Sequence, residues 1–141
     1  KPIFDKKQTL TYYSFNEPAL NSFSKKLSNE RNGKNGYFIK SSQSIKATTL
    51  EHILDKNLAK NQEIDFLSID VEGLDFAVLK SNNFNKFRPK VILLEVLDRE
   101  NLINSENSSI VQYLTNNKYT LYVKLIHTVI FISEEYEKKI K

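Results

Sequence analysis

The segment Ile64–Lys80, IDFLSIDVEGLDFAVLK, constrains the fold of this chain more than any other. It opens with Ile64–Ile69, an apolar stretch broken by only two polar residues, which predicts a buried β-strand. The acidic turn Asp70–Gly73 (DVEG) follows, and after it apolar residues recur at helical spacing. The segment therefore predicts a strand that runs through an acidic turn into a helix.

A second apolar run, Val91–Leu97 (VILLEVL), predicts a strand covered on both faces, as in a parallel sheet. Weaker patterns predict two further strands, at Leu10–Phe15 and Ile45–Ala47. They also predict two helices, one capped by Thr48 with Glu51 and the other by Ser108 or Ser109. A hairpin is predicted within Tyr119–Ile132, with its turn near Ile126–Thr128. This order indicates an α/β sandwich with a mostly parallel sheet. The polar segment Ser28–Gly36 is predicted to be a loop, and Glu134–Lys141 a frayed tail.

Composition narrows the class of protein. A chain of 141 residues, 40% hydrophobic, fits one domain with a packed core, here residues 1–141. The absence of cysteine excludes disulfides, thiolate metal sites and a cysteine nucleophile. No apolar run reaches the length of a membrane helix, so we expect a cytoplasmic protein with no membrane partner. The net charge of +4 is spread along the chain without an arginine-rich run, so we expect no nucleic-acid partner.

The candidate site consists of acidic residues where two predicted strands end. Asp70 and Glu72 follow the first strand, and Glu95 lies near the end of the second. Open α/β sheets bind ligands at the carboxyl ends of their strands, so these carboxylates are expected to converge there. Structural alternatives remain open: Asp70 as a helix N-cap, and Glu72 as a first-turn carboxylate favoured by the helix dipole. Glu95 is costly to bury in an apolar strand unless it faces an opening or a partner.

Other catalytic chemistries have little support in the sequence. His52 and His127 lack the spacing of zinc ligands. The serines lack a nucleophile-elbow context, and no phosphate-binding glycine loop is present. A divalent metal between Asp70 and Glu95 is chemically reasonable for oxygen ligands, but no metal is required.

The element IDFLSIDVEGLDFAVLK, followed after a short gap by RPKVILLEV, resembles the FkbM family of S-adenosylmethionine-dependent methyltransferases. The upstream segments SFNEPALNSFS and IKATTLEHIL extend the resemblance, which covers about Leu10 to Ile132. It implies a Rossmann-like class I methyltransferase sheet whose last strand is antiparallel. On that template Ile64–Ile69 is the fourth strand, Val91–Val96 the fifth, and the terminal antiparallel hairpin supplies the sixth and seventh.

The resemblance also implies S-adenosylmethionine as cofactor and methyl transfer to a hydroxyl of a sugar or other small molecule. On the family's pattern, Glu72 is the first choice for the base that deprotonates the acceptor, Asp70 for positioning it, and Glu95 matches the acidic position of the fifth strand. The family's glycine-rich turn and the acid of its second strand have no counterpart here, so no cofactor-binding residue is assigned. The chain is accordingly expected to be the C-terminal portion of the domain, lacking its first strands.

Because the family's first strands have no counterpart in this chain, we expect its sheet to be completed by other strands, and other functions stay open. The chain is expected either to belong to a longer protein or to have its sheet completed by a partner, including a second copy in a homo-oligomer. Alternatively, it is a non-catalytic α/β remnant that serves as a binding or assembly module. A third and weaker interpretation is a basic surface module for polyanions.

Overall fold

A computed structural model describes residues 1–71, 73–95 and 108–141 of the chain. The strands are β1 (Thr9–Phe15), β2 (Ile39–Lys46), β3 (Phe66–Ile69), β4 (Val91–Glu95), β5 (Tyr119–Lys124) and β6 (Thr128–Ser133). The helices are α1 (Lys25–Arg31), α2 (Leu50–Asn57), α3 (Asp75–Lys80), α4 (Ser109–Asn116) and α5 (Glu134–Ile140), with a 3-10 turn at Pro18–Leu20. Strands and helices alternate along most of the described parts of the chain up to the hairpin of β5 and β6, so the predicted α/β class is confirmed.

The larger sheet has four strands in the order β3-β4-β6-β5. β3 and β4 are parallel, with Ile69 opposite Leu94. β6 lies between β4 and β5 and is antiparallel to both. Three strands of this sheet therefore run in one direction and β6 runs in the other. The predicted C-terminal hairpin is confirmed as β5 and β6.

The smaller sheet is a separate antiparallel pair of β1 and β2, in which Thr9 lies opposite Lys46. The predicted mostly parallel sheet corresponds to the larger sheet, in which three of four strands run in one direction, whereas the second, antiparallel sheet was not predicted. Among the described strands, β3 and β4 form the sole parallel pair. Residue patterns predict that a segment forms a strand, but they do not specify which strand it pairs with.

The core lies against one face of the larger sheet. Ile92 and Leu94 of β4 are fully buried there, whereas the intervening Leu93 is only half-buried on the opposite face. The buried cluster also receives residues from β3, β6, α3 and α4: Ile69, Val129, Phe131, Val78, Leu79 and Leu114. The alternation along β4 shows that helices cover one face of this sheet more completely than the other.

Three local predictions are corrected by hydrogen-bonded helix caps. α1 occupies the start of the predicted loop, because the Ser24 hydroxyl accepts a hydrogen bond from the Leu27 N–H at 3.3 Å. The predicted tail is helix α5, whose cap Ser133 accepts from the Tyr136 N–H at 3.4 Å. α5 also has acidic residues in its first turn and lysines in its last, as the helix dipole favours.

The third correction concerns α2. Its cap is Thr49, whose hydroxyl accepts from the His52 N–H at 3.2 Å, one residue later than predicted. The predicted helix after Ser108 is confirmed, and it ends at Asn116. The last two residues of the predicted strand Val91–Leu97 lie outside the described residues. Within the described parts of the chain, none of the helices has the length and apolar character needed to cross a bilayer.

Candidate functional site

The carboxyl ends of β3 and β4 place two of the predicted acidic residues side by side. Ile69 and Leu94 are register partners on these parallel strands. Asp70 and Glu95 each occupy the next position, and neighbouring strands lie about 4.8 Å apart. Glu95 also pairs with Thr128 of β6. The two carboxylates therefore lie at the same edge of the sheet, as predicted.

Asp70 is exposed at this edge, and its carboxylate accepts no hydrogen bond from any described residue. The alternative of a helix N-cap does not hold for Asp70, because α3 begins at Asp75 and its N-cap position is Leu74. An exposed carboxylate that no described residue engages is available to a ligand.

Glu95 is half-buried as the last residue of β4, and it is engaged in an interaction. Glu72, the third predicted site residue, lies outside the described residues. The catalytic roles of Asp70, Glu72 and Glu95 therefore remain predictions.

The turn after β3 is organised by Asp75, a residue that the sequence interpretation missed. Its carboxylate accepts hydrogen bonds from the backbone N–H of Val71 at 3.3 Å and of Gly73 at 3.1 Å. Gly73 has a φ of +87°, a conformation that residues with a Cβ adopt only with strain. Asp75 thus fixes the backbone on both sides of Glu72. The sequence feature that could have indicated this role is an acidic residue two positions after Gly73.

Asp75 is 3% exposed, and its burial raises the pKa of its carboxyl group above the ordinary value. The hydrogen bonds from Val71 and Gly73 favour the charged form and oppose this effect, while the nearby Asp70 adds a small rise. Asp75 is therefore a buried acid that holds the turn rather than one open to a ligand.

The opposite edge of the sheet contains a cleft of about 270 Å³. Four cations line it, and three of them are paired with carboxylates. The pairs are Lys86 with Asp55, Arg88 with Glu135, and Lys90 with Glu63 and Asp65. Because these charges are satisfied internally and lie at the amino ends of β3 and β4, we assign the candidate site to the carboxyl edge.

Metal ligands were also considered at the carboxyl edge. Across residues 1–71, 73–95 and 108–141, no three His, Asp or Glu side chains cluster closely enough to hold a metal ion. The described residues at this edge therefore include two carboxylates, those of Asp70 and Glu95. A carboxylate can accept a proton or attract a cation.

Comparison with known proteins identifies one family. The family model for the methyltransferase FkbM domain matches residues 4–121, which include β1 to β5 except the last three residues of β5. The match contains Asp70, Glu72, Asp75 and Glu95. No curated protein and no solved structure matches the chain.

Proposed function

Because the chain belongs to the FkbM methyltransferase family, we propose that it takes part in S-adenosylmethionine-dependent methyl transfer to a hydroxyl of a sugar or other small scaffold. The observation that carries this proposal is the placement of Asp70 and Glu95 at adjacent carboxyl ends of parallel strands. Ligands of open α/β sheets bind at this edge.

The topology of the larger sheet supports a Rossmann-like class I arrangement. β3 and β4 correspond to the fourth and fifth strands of that sheet, and β5 and β6 to the sixth and seventh. The antiparallel β6, inserted between β4 and β5, agrees with a last strand of opposite direction. On this assignment the first three strands of the sheet would lie beyond β3.

The chemistry needs an acceptor hydroxyl aligned with the methyl donor and a base for its proton. The bound donor supplies an electrophilic methyl group on a positively charged sulfur. The negative charge of the carboxylates at this edge is complementary to that positive sulfur. Asp70, being exposed, orients the acceptor hydroxyl, and Glu72 in the same turn takes its proton. Glu95 adds negative charge from the neighbouring strand.

The outer edge of β3 is where we expect further strands to join the larger sheet. In the described structure β4 is the only strand that pairs with β3. Phe66 of β3 is 55% exposed. We propose that further strands, from the same protein or from a second copy, complete the sheet here. The same open edge supports the second candidate function, a non-catalytic binding or assembly module.

The test uses a version of the chain with further strands restored beside β3. We expect it to bind S-adenosylhomocysteine in isothermal calorimetry and to transfer a labelled methyl group to members of a sugar panel. Replacing Glu72 with Gln should lower kcat by about 10²–10⁴-fold, the range for loss of a general base. Asp5→Asn, at an exposed position away from the site, is the matched control and should leave kcat unchanged.

Failure of this version to bind the donor product would overturn the methyl-transfer proposal. A stable dimer by light scattering, without donor binding, would favour the assembly module. Equal losses of kcat in Glu72→Gln and Asp5→Asn would reject Glu72 as the base.

A further inference from the structure

A second basic groove lies between the start of β1, the end of β2 and the first turn of α2. Its volume is about 370 Å³, within the range of small-ligand sites. We call it the lysine groove; its lining includes Lys1, Lys7, Gln8, Lys46, Thr48 and His52. Its position brings together basic residues from three separate parts of the chain.

The lysines of this groove differ from those of the cleft at the amino ends of β3 and β4. In that cleft Lys86, Arg88 and Lys90 are each paired with a carboxylate, and Lys139 is the fourth cation of the lining. In the lysine groove, neither Lys7 nor Lys46 has an ion-pair partner among the described residues. The carboxylate nearest in sequence, Asp5, accepts a hydrogen bond from the Gln8 amide at 3.4 Å instead. Glu51, beside His52, accepts from Asn83 at 2.8 Å.

Unpaired like charges that share a groove repel one another and create a positive local potential. An anion that enters the groove relieves this repulsion. One further atom among the lining residues lacks a partner: the hydroxyl of Thr48, which is buried and makes no hydrogen bond within the described structure. Buried hydroxyls without a partner are uncommon in native proteins.

We propose that the lysine groove binds a phosphoryl or pyrophosphoryl group carried by a small molecule. Three lysines match a group that bears two or more negative charges. Among the described residues the groove lining has lysines and no arginine, whose planar fork binds carboxylates and phosphates alike in a bidentate manner. Lysine binds phosphate as a point charge, which suits ammonium groups presented from different elements.

The groove is separate from the candidate catalytic edge. The first residues of α2 are joined to the end of α3, because the Leu50 N–H donates to the Ser81 hydroxyl at 2.9 Å. α3 starts at the carboxyl end of β3 and spans six residues, about 9 Å of helix. The groove therefore lies at the far end of α3 from Asp70, and its proposed ligand is independent of methyl transfer.

Isothermal calorimetry with inorganic pyrophosphate, at constant ionic strength, tests the proposal on the full chain. We expect saturable binding at one site, weakened about tenfold by Lys46→Gln, since a charge-assisted hydrogen bond is lost. Lys40→Gln is the matched control, because Lys40 is exposed on the same strand outside the groove. Lys7→Gln and its neighbour Lys6→Gln form a second matched pair.

Citrate provides the comparison with a polycarboxylate. Weaker binding of citrate than of pyrophosphate supports a phosphoryl site, and tighter binding of citrate overturns that assignment. Absence of saturable pyrophosphate binding, or equal weakening by Lys40→Gln and Lys46→Gln, rejects the groove as a site. Circular dichroism of each variant, unchanged from that of the parent chain, shows that a loss of binding does not arise from unfolding.

Discussion

At the scale of single residues, Asp75 is the side chain that gives the turn after β3 its shape. Its carboxylate bridges the N–H groups of Val71 and Gly73, and it is almost completely buried. A buried carboxylate with two backbone donors is costly to replace, because each donor then loses its partner. Asp70 projects from the turn that this residue holds, so the position of the candidate catalytic carboxylate depends on Asp75.

Replacing Asp75 with Asn leaves one acceptor oxygen for two N–H groups. We expect the free energy of unfolding to fall by about 1–3 kcal/mol at neutral pH, the cost of an unsatisfied buried donor. Urea unfolding followed by circular dichroism measures this. Asp5→Asn, an exposed carboxylate, is the control and should change stability little.

The same pair of proteins tests the pKa of Asp75. Because burial raises that pKa in the folded state, the folded chain holds the proton to a higher pH than the unfolded chain does. The contribution of this proton to stability is present below the ordinary value of 3.8 and is lost as pH rises through the folded pKa. The deficit of Asp75→Asn should therefore be larger at acidic pH than at pH 7. A deficit that shrinks on acidification would contradict the raised pKa.

At the scale of elements, Arg88 connects three parts of the chain. Its guanidinium donates to Glu135 of α5 through Nε at 2.6 Å and through Nη2 at 3.0 Å. Nη1 donates to the carbonyl oxygens of Phe84 and of Asn117, at the end of α4. The guanidinium also lies 5.1 Å from the ring centre of Tyr119. A planar fork of donors makes these contacts together, which a single ammonium group does not.

We therefore expect Arg88→Lys to lower the free energy of unfolding by about 1–2 kcal/mol, through lost hydrogen bonds at constant charge. Urea denaturation at pH 7 provides the measurement. Lys86→Gln breaks the more exposed pair with Asp55 and should cost about 0.5 kcal/mol or less. A loss of about 0.5 kcal/mol or less in Arg88→Lys would show that Arg88 acts through its charge, which lysine keeps.

At the scale of the whole molecule, the two faces of the larger sheet differ in how they are covered. Phe131 of β6 is fully buried against α3 and α4, whereas Phe66 of β3 is 55% exposed. The packed cluster is therefore larger on the face of Phe131, while Ile132 is buried on the other face and Phe66 is exposed there at the β3 edge. This asymmetry is the structural basis for proposing that additional strands complete the sheet.

Two phenylalanine substitutions measure the difference in burial between the two faces of the larger sheet. Phe131→Ala should lower the free energy of unfolding by about 3–5 kcal/mol, as removal of a buried aromatic ring does. Phe66→Ala should cost about 1 kcal/mol or less, because little of its contact area is lost. Chemical denaturation of both variants gives the comparison. A comparable cost at Phe66 would mean that this face is covered in solution, and sedimentation would then identify a self-associated species.

The amino-acid sequence by itself determined the elements whose residue patterns are local. The apolar runs predicted β3, β4 and the final hairpin, and the acidic turn predicted where carboxylates gather. Asp70 and Glu95 were predicted at one sheet edge because strand ends in parallel sheets coincide there. These features depend on side chains close together in the sequence.

Tertiary structure alone decided the pairing of β1 with β2 in a separate sheet and the insertion of β6 between β4 and β5. It also decided the role of Asp75, since a carboxylate two residues after a glycine becomes a backbone clamp only when the turn folds around it. The helix α5 is stabilised in part by Arg88, 47 residues away from Glu135. Such contacts join distant parts of the chain, so the periodicity of a single segment carries no record of them.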